Sequence, residues 1–347
     1  MKTRCDVIVI GAGMSGLLAA RTLVEQGIDV IVLDKGRGVG GRMATRRHAG
    51  GSFDHGAQFL TVRSPRFQNL VDEWLEQGVA ALWSHGFADG KTGDGSLLTG
   101  SDGVGGSHMP ARDGHPRYRG KPGMTAIPKH IASSGKTLDV RLGVKATAIE
   151  SAAAGVRVVA EAGRAYIADV AVVTPPVPQS LALLEAGGID LLSSERDELA
   201  RISYDPCLVL LGFVDDLSLP APGAVRYVNE SIEWIADNAQ KGVSERTGSV
   251  TAHFASDWSE SRYDLPDEEI LKSMVLEAER MLGHPIRDPQ LKKWRYSRTR
   301  SAREEGAHRL EGNGRIILAG DAFSGNRVEG AALSGLEAAR TVVRPAP

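Results

Sequence analysis

Apolar residues along this chain alternate between short unbroken runs and stretches spaced as on one face of a helix. Asp6–Ile10 is a β-branched apolar run of the kind buried on both faces of a sheet, and Val30–Leu33 is a second. Between them Leu17, Leu18, Leu23 and Val24 recur at helical spacing until Gly27 ends the element. From Ser64 to Gly78 the residues Phe67, Leu70, Val71, Trp74 and Leu75 share one helical face. From Gly86 to Gly120 the period disappears among glycine, Asp, Ser and Pro, which predicts a long loop. Its G-V-G-G-S-H lacks both a preceding strand and a following helix, so it is not read as a nucleotide motif. A helix through Ile127 and Ile131 follows, then strands at Asp139–Val144, Ala146–Ile149, Val156–Ala160, Ala165–Ile167 and Val170–Thr174. The proline-rich Thr174–Pro178 predicts an exit from this unit. Beyond it, Arg201–Ser203, Cys207–Phe213, Ala224–Val228, Ser231–Ala236, Val250–Phe254 and Leu291–Tyr296 read as strands, and Asp267–Leu282 as an amphipathic helix. Arg315–Leu318 and a helix from about Val328 to Val342 close the pattern.

The first two runs bracket Gly11-Ala12-Gly13-Met14-Ser15-Gly16, a G-x-G-x-x-G between a strand and a helix. Gly11 permits the tight turn, Gly13 lets a pyrophosphate approach the backbone, and Gly16 lets helix pack on strand. The helix N-terminus adds free N–H groups and a positive dipole end. Asp34 ends the second strand where a carboxylate accepts the ribose hydroxyls of an adenosine. Lys35 to Arg47 then holds four glycines and four arginines, among them Gly41 and Arg42. Its place directly after the ribose-binding acid favours closure over a polyanion, against the alternative of a solvated basic loop.

At 347 residues the chain exceeds what one core usually supports, so two domains are expected. With 42% hydrophobic residues, 24% charged and a net charge of −2, it carries no footprint for nucleic acid or an anionic membrane. No apolar run reaches the roughly 20 residues of a membrane helix. The first strand begins within about five residues, leaving no room for a signal peptide, and the expected location is cytoplasmic. Cys5 and Cys207 are the only cysteines and show no metal spacing, so no disulfide framework, dithiol centre or metal site is expected.

The fingerprint, the acid and Arg37-Gly38-Val39-Gly40-Gly41-Arg42 together resemble the FAD-binding region of the flavin amine oxidase superfamily. Phe53-Asp54-His55-Gly56-Ala57-Gln58-Phe59 narrows the resemblance to its renalase-like branch. The G-K-P-G-M turn at Gly120–Met124, with Tyr118 before it, is similar to that branch too. So are Ile232–Asn238 and Thr251–Ser259. The resemblance implies an α/β fold: a Rossmann-like FAD-binding domain (1–62, 118–178 and 308–347) with a discontinuous, mixed-sheet α+β substrate domain (63–117 and 179–307). It implies non-covalent FAD, with Gly56, Ala57, Gln58 and Phe59 beside the flavin and the Val144 backbone at the adenine. Gly320 and Asp321 would hold the ribityl chain, and Arg327, Val328, Glu329 and Ala331 would start a helix aimed at the flavin N1–C2=O edge. Reduction places negative charge on that edge, which a helix N-terminus stabilises.

Trp234, Asn238, His253 and Tyr118 are the candidates for substrate contact, with core packing or routine hydrogen bonding as the alternative. His55 is a weaker candidate base. A single dinucleotide fingerprint, taken by FAD, leaves a nicotinamide only the role of substrate. The resemblance implies oxidation of 2- or 6-dihydro-NAD(P) isomers to NAD(P)+ by hydride transfer to flavin N5, with O2 reoxidising the flavin to give H2O2. Alternatives are an amine oxidase, a desaturase or isomerase acting on an apolar substrate, or a flavin-binding regulatory protein of low turnover. The run Lys292-Lys293-Trp294-Arg295-Tyr296 is more basic than the branch's usual form, which favours a phosphorylated substrate.

Overall fold

In the computed structural model, which describes residues 2–90 and 114–344, the two N-terminal runs are neighbouring parallel strands. Arg4–Ile10 pairs with Val30–Asp34, Val7 opposite Val30 and Ile10 opposite Leu33, and helix Met14–Glu25 crosses between them. The sheet runs in the order His308–Arg309, Ile316–Leu318, Ala165–Val173, Arg4–Ile10, Val30–Asp34, Asp139–Leu142. Ala146–Ala152 and Gly155–Ala160 branch from it as an antiparallel extension. Val7, Val9, Val30 and Val32 point to a core formed with Met14–Glu25, Pro65–Glu76, Ala126–Ser133 and Val328–Val343. Ile8, Ile10, Ile31 and Leu33 point to the opposite core, covered by Val177–Ala186 and Ser193–Ala200. Two covered faces are why these strands read as unbroken apolar runs.

The second sheet is antiparallel apart from one edge, in the order Arg287–Thr299, Tyr204–Phe213, Ser249–Phe254, Ile232–Asp237, Ala224–Tyr227, Ala88–Gly90. Leu208, Leu210, Val225, Ile235 and Ala252 pack under helix Asp267–Leu282 through Ile270, Met274 and Ala278. The alternate residues face the other way. His253 lies opposite Trp234 on one side and Val209 on the other, so these three share the face turned toward residues 53–59.

Four expectations change. Arg201–Ser203 is not a strand: Arg201 caps the helix Ser193–Ala200, and the strand begins at Tyr204. Thr174–Pro178 does not simply leave the unit, because Pro176 caps the helix Val177–Ala186, and Pro178 lies in its first turn, where a missing N–H costs nothing. The two strands read around Ala168 are one, Ala165–Val173, held along one edge by Arg4–Ile10 and along the other by Gly155–Ala160 and then Ile316–Leu318. The long glycine-rich stretch has strands at both ends, Ala88–Gly90 and Arg117–Gly120, while the G-V-G-G-S-H segment lies outside the described residues. Helix Pro65–Glu76, in a segment assigned to the substrate side, buries Phe67, Val71 and Trp74 in the core shared with Met14–Glu25. No helix among the described residues is long and apolar enough to cross a membrane.

Candidate functional site

The glycine turn divides its three positions between packing and open space. Gly11 has φ +103°, and a Cβ there would lie 2.4 Å from Thr174 Oγ1; a Cβ on Gly16 would lie 1.9 Å from the Gly11 carbonyl oxygen. Above Gly13 nothing comes within 4 Å of a Cβ position. Gly13 is also the N-cap of helix Met14–Glu25 and supplies no side chain to its free N–H groups, and the Ser15 hydroxyl is buried without a partner. This open, donor-lined ground suits a phosphate group. Asp34 is fixed beside it, its two oxygens accepting from the Ala12 and Gly36 N–H groups at 2.6 Å each. Val144 donates its N–H to the Asp34 carbonyl at 2.9 Å, and Gly40 donates to the Ala12 carbonyl at 2.8 Å. Gly41 is thereby set close over Gly13, a Cβ on it falling 3.5 Å from the Gly13 Cα. Lys35 departs from expectation: it is exposed and reaches Gln179 Oε1 at 3.4 Å, away from the turn.

The C-terminal segments complete the same cradle. Arg42 grips Asp321 with two bonds of 2.8 and 2.6 Å, and Thr299 Oγ1 donates to Asp321 at 2.8 Å. Burial works against the Arg42 charge, but the Asp321 carboxylate more than offsets it, so the guanidinium holds its proton more tightly than usual. Gly320 donates its N–H to Ser334 Oγ at 2.8 Å. A Cβ on Gly335 would stand 2.2 Å from the Ser15 carbonyl oxygen, so the first and last helices touch backbone to backbone. Val328 and Ala331 pack on the nucleotide-side core at the start of the last helix. Two neighbours there do something else. Glu329 is buried and accepts from the Arg63 and Ser64 N–H groups at 3.2 and 2.7 Å, while the exposed Arg327 side chain reaches Thr61 Oγ1 at 3.5 Å.

Four rings pack against one another as an aromatic cage, every pair within 6.4 Å between centroids. Trp234 lies 4.7 Å from Phe87 and 5.7 Å from Phe59 between centroids, and Trp83 lies 4.8 Å from Phe87. Phe59 is therefore a wall of this cage. Trp83 spends its indole N–H on the Pro222 carbonyl at 3.0 Å, whereas the buried Trp234 indole N–H has no acceptor. Under the cage, the Lys241 ammonium sits 4.7 Å over the Trp83 ring and 2.8 Å from Asp54 Oδ2, both side chains fully buried. Burial pushes Lys241 toward losing its proton and the Asp54 charge opposes this. Asp54 Oδ1 accepts from Thr45 Oγ1 at 2.6 Å and from the Met124 N–H at 2.9 Å. The G-K-P-G-M turn thus seats this pair: a Cβ on Gly123 would lie 2.7 Å from Thr45 Oγ1.

Gln58 links the pair to the sheet. Its Nε2 donates to the Asp54 and Gly56 carbonyls at 2.6 and 3.2 Å, and its Oε1 faces Lys241 at 3.4 Å, so the amide orientation is unambiguous. The second Nε2 hydrogen is shared between the Gly56 carbonyl and His253 Nε2, both at 3.2 Å, so His253 Nε2 accepts and the ring proton is on Nδ1. His253 is held neutral, pushed down to about 3 by burial first and by the nearby His55 and Lys241 charges. His55 is pushed down to about 4, again by burial first and then by Lys292. It stacks on Trp294 at 5.3 Å and accepts the Trp294 indole N–H on its carbonyl at 2.7 Å, a packed position rather than a cage wall.

The structure therefore brings Trp234 and His253 together and leaves two other candidates outside the cage. Asn238 is wholly buried and its amide is committed, accepting from the Asp54 N–H at 3.1 Å and donating to the Ser249 carbonyl and Thr251 Oγ1. Tyr118 exchanges backbone bonds of 2.8 and 2.9 Å with Leu60 and packs against the nucleotide-side core. Sequence reasoning missed Trp83, Phe87, Asp54 and Lys241. The last two carried no local signal, because Asp54 and Lys241 lie in polar, glycine-containing stretches and their pairing appears only in the fold.

Comparison with known proteins agrees with this geometry. A family model of flavin-containing amine oxidoreductases matches residues 78–343, and a model of an NAD(P)-binding Rossmann-like domain matches residues 9–74. The chain is 38% identical over 74 residues to a flavin-containing amine oxidase B of Cavia porcellus, covering 21% of this chain and 14% of that protein. It is 43% identical over 68 residues to a putrescine oxidase of Kocuria rosea, covering 20% of this chain and 14% of the relative. The matched stretch thus spans a small part of these relatives. Among solved structures, a putrescine oxidase bound to putrescine aligns over 99% of this chain and 100% of its own, with TM-score 0.68 at 16% identity. A CLA-producing fatty acid isomerase from P. acnes aligns over 97% and 98%, with TM-score 0.68 at 14% identity. At such identities the likeness is one of fold.

Proposed function

The chain belongs to the flavin-containing amine oxidoreductase family, with FAD as its cofactor, and on that premise we propose that it oxidises a flat, uncharged ring of the dihydronicotinamide type. The reading is renalase-like: 2- or 6-dihydro-NAD(P) isomers become NAD(P)+, with O2 as the final acceptor. One observation carries it. The cage is aromatic, with Asp54 paired to Lys241 and His253 neutral beside it, and it holds one buried unpaired donor, the Trp234 indole N–H. A ring bearing a carboxamide oxygen meets that donor and stacks on the rings. A protonated amine would find no carboxylate to receive it and an ammonium beneath Trp83 to repel it.

In this reading Asp34 and Val144 take the adenosine end of FAD, Gly11–Gly16 with Gly41 the pyrophosphate, and Asp321 the ribityl chain. Residues 56–58 and the start of Val328–Val343 border the ring. Bound FAD supplies the hydride acceptor. The protein binds and orients: the cage excludes water, Trp234 positions the carboxamide, and no general base is needed, because the hydride leaves from carbon. The division into a nucleotide part and a substrate part, expected from sequence, belongs to the same proposal. FAD is held without a covalent bond, since Cys5 and Cys207 are buried and direct their thiols at the Val7 and Phe254 carbonyls. Acid precipitation then leaves all yellow colour in the supernatant.

The test is aerobic turnover of isomers made by non-selective reduction of NAD(P)+. Equal formation of NAD(P)+ and hydrogen peroxide supports the proposal; turnover of putrescine or another amine in their place gives the site to the amine oxidase reading.

A further inference from the structure

We propose that Lys241 is a positioning residue which, through Gln58, fixes the imidazole of His253 as an N–H donor to the substrate. This rests on the dihydronicotinamide reading and names the group on the ring that the site selects, a carbonyl oxygen. A neutral imidazole can carry its proton on either nitrogen, and a primary amide can be turned end for end. Left alone, the two would present no defined polarity. Lys241 removes that freedom, because an ammonium only donates. It is fully buried, 2.8 Å from Asp54 Oδ2, and meets Gln58 Oε1 at 3.4 Å. The other end of the amide donates one hydrogen to the Asp54 carbonyl at 2.6 Å and shares the second between the Gly56 carbonyl and His253 Nε2, both at 3.2 Å. Reversed, the amide would set its oxygen against two carbonyl oxygens and its NH2 against an ammonium. His253 Nε2 therefore accepts, and the ring proton sits on Nδ1.

That proton is uncommitted. His253 is only partly buried, and among the described residues its Nδ1–H has no acceptor. The residue directly across the strand pair is Trp234, whose indole N–H is likewise without one. Directly opposed residues hold their Cβ atoms about 4.5–5.5 Å apart on one face of a sheet. The neighbour on the other side, Val209, has no polar side chain. The pair thus presents two N–H groups and no acceptor on the face turned toward residues 53–59. A carboxamide oxygen, with two lone pairs, satisfies such donors, whereas an ammonium, which only donates, does not. Burial, with the charges of His55 and Lys241, keeps the imidazole neutral, so Nε2 stays free to accept from Gln58.

The test reads the ring directly, by nitrogen NMR of holoenzyme labelled at histidine, with the His253 signals identified by their loss in His253→Gln. Wild type shows the Nδ1–H tautomer. Gln58→Glu keeps the size of the side chain but takes away the donor to Nε2; it moves the ring proton to Nε2 and lowers kcat/KM for the dihydronicotinamide isomer about tenfold, the scale of one lost hydrogen bond. Lys241→Met combined with Asp54→Asn, which strands no charge, frees the amide and leaves a mixture of tautomers. An Nε2–H tautomer in wild type, or an unmixed Nδ1–H tautomer kept in either variant, overturns the positioning role, since a merely structural Lys241 would change stability and leave the tautomer in place. His253→Phe lowers kcat/KM by a similar factor, and an unchanged value overturns the donor role. If no isomer reduces the wild-type flavin, the dihydronicotinamide reading fails, and the donor is judged by titrating holoenzyme with nicotinamide, read at the flavin band. Binding weakened about tenfold in His253→Phe upholds it; equal binding, or none, overturns it.

Discussion

The cradle and the cage are built by opposite means. The cradle is made of backbone: at Gly11, Gly16 and Gly335 a single added methyl would strike a neighbour, and the open position at Gly13 exists because those contacts are closed. The cage is made of side chains from three separate segments, Phe59, Trp83 with Phe87, and Trp234, over a lysine and an aspartate that come from different segments. The first has little freedom to vary, since its geometry follows from glycine spacing. The second can exchange its rings and retain its fold, which is how one family serves many substrates.

Breaking the cradle gives the largest effect. Gly16→Val puts a branched side chain where even a Cβ would be 1.9 Å from a backbone oxygen, so the variant purifies without flavin or fails to accumulate as soluble protein. Yellow, fully loaded Gly16→Val contradicts the packing described. In the cage, Lys241→Met leaves Asp54 buried without its cation and destabilises the fold by about 3–5 kcal/mol in denaturant titration. Asp54→Asn combined with Lys241→Met recovers part of that loss, because no charge is then stranded. Single and double variants of equal stability would mean the pair contributes nothing.

The two regions also respond oppositely to pH. His55 and His253, held near 4 and 3 against an ordinary value of 6.5, bind fewer protons folded than unfolded. Their contribution is fully present above pH 6.5 and is lost as pH falls, about 2 kcal/mol each by pH 5. On the cradle side His308 stands between Glu195 at 2.8 Å and Glu305 at 3.3 Å. Burial opposes its charge, but bonds to both glutamates raise its affinity for a proton. Its contribution is fully present below 6.5 and is lost as pH rises through the raised value. Urea unfolding from pH 5 to 9 should therefore show His253→Gln flattening the acid limb and His308→Gln flattening the alkaline one; unchanged limbs contradict the assigned environments. The smallest effect belongs to Trp234→Phe, which retains a ring and removes the unpaired donor, costing about tenfold in kcat/KM for a carboxamide-bearing ring.

Legibility in the sequence follows the same division. Gly11–Gly16 and Asp34 were legible as a strand–turn–helix unit because that pattern is local, whereas Gly320-Asp321 was named from the family resemblance and is held by distant partners, Arg42, Thr299 and Ser334. Trp234 and His253 were named from the family resemblance, and their pairing across the second sheet is seen only in the structure. Asn238 and Tyr118 have their surroundings set by residues distant in sequence: the Asn238 amide is taken by Asp54, and Tyr118 is pinned through its backbone to Leu60 and packs on the nucleotide-side core. The helices within 177–200 were missed because the local cue, the prolines of Thr174–Pro178, pointed to an exit from the unit. Lys35 was assigned by its position after Asp34, yet a long exposed side chain follows solvent and the nearest acceptor.

The most direct measurement is anaerobic stopped-flow reduction of one holoenzyme preparation with the 2- and 6-dihydro isomers, ordinary NAD(P)H and putrescine in parallel, read at the flavin band. The account predicts bleaching by one equivalent of an isomer at a rate well above that with NAD(P)H, and none with putrescine. Rapid bleaching by putrescine with no faster response to the isomers would contradict it.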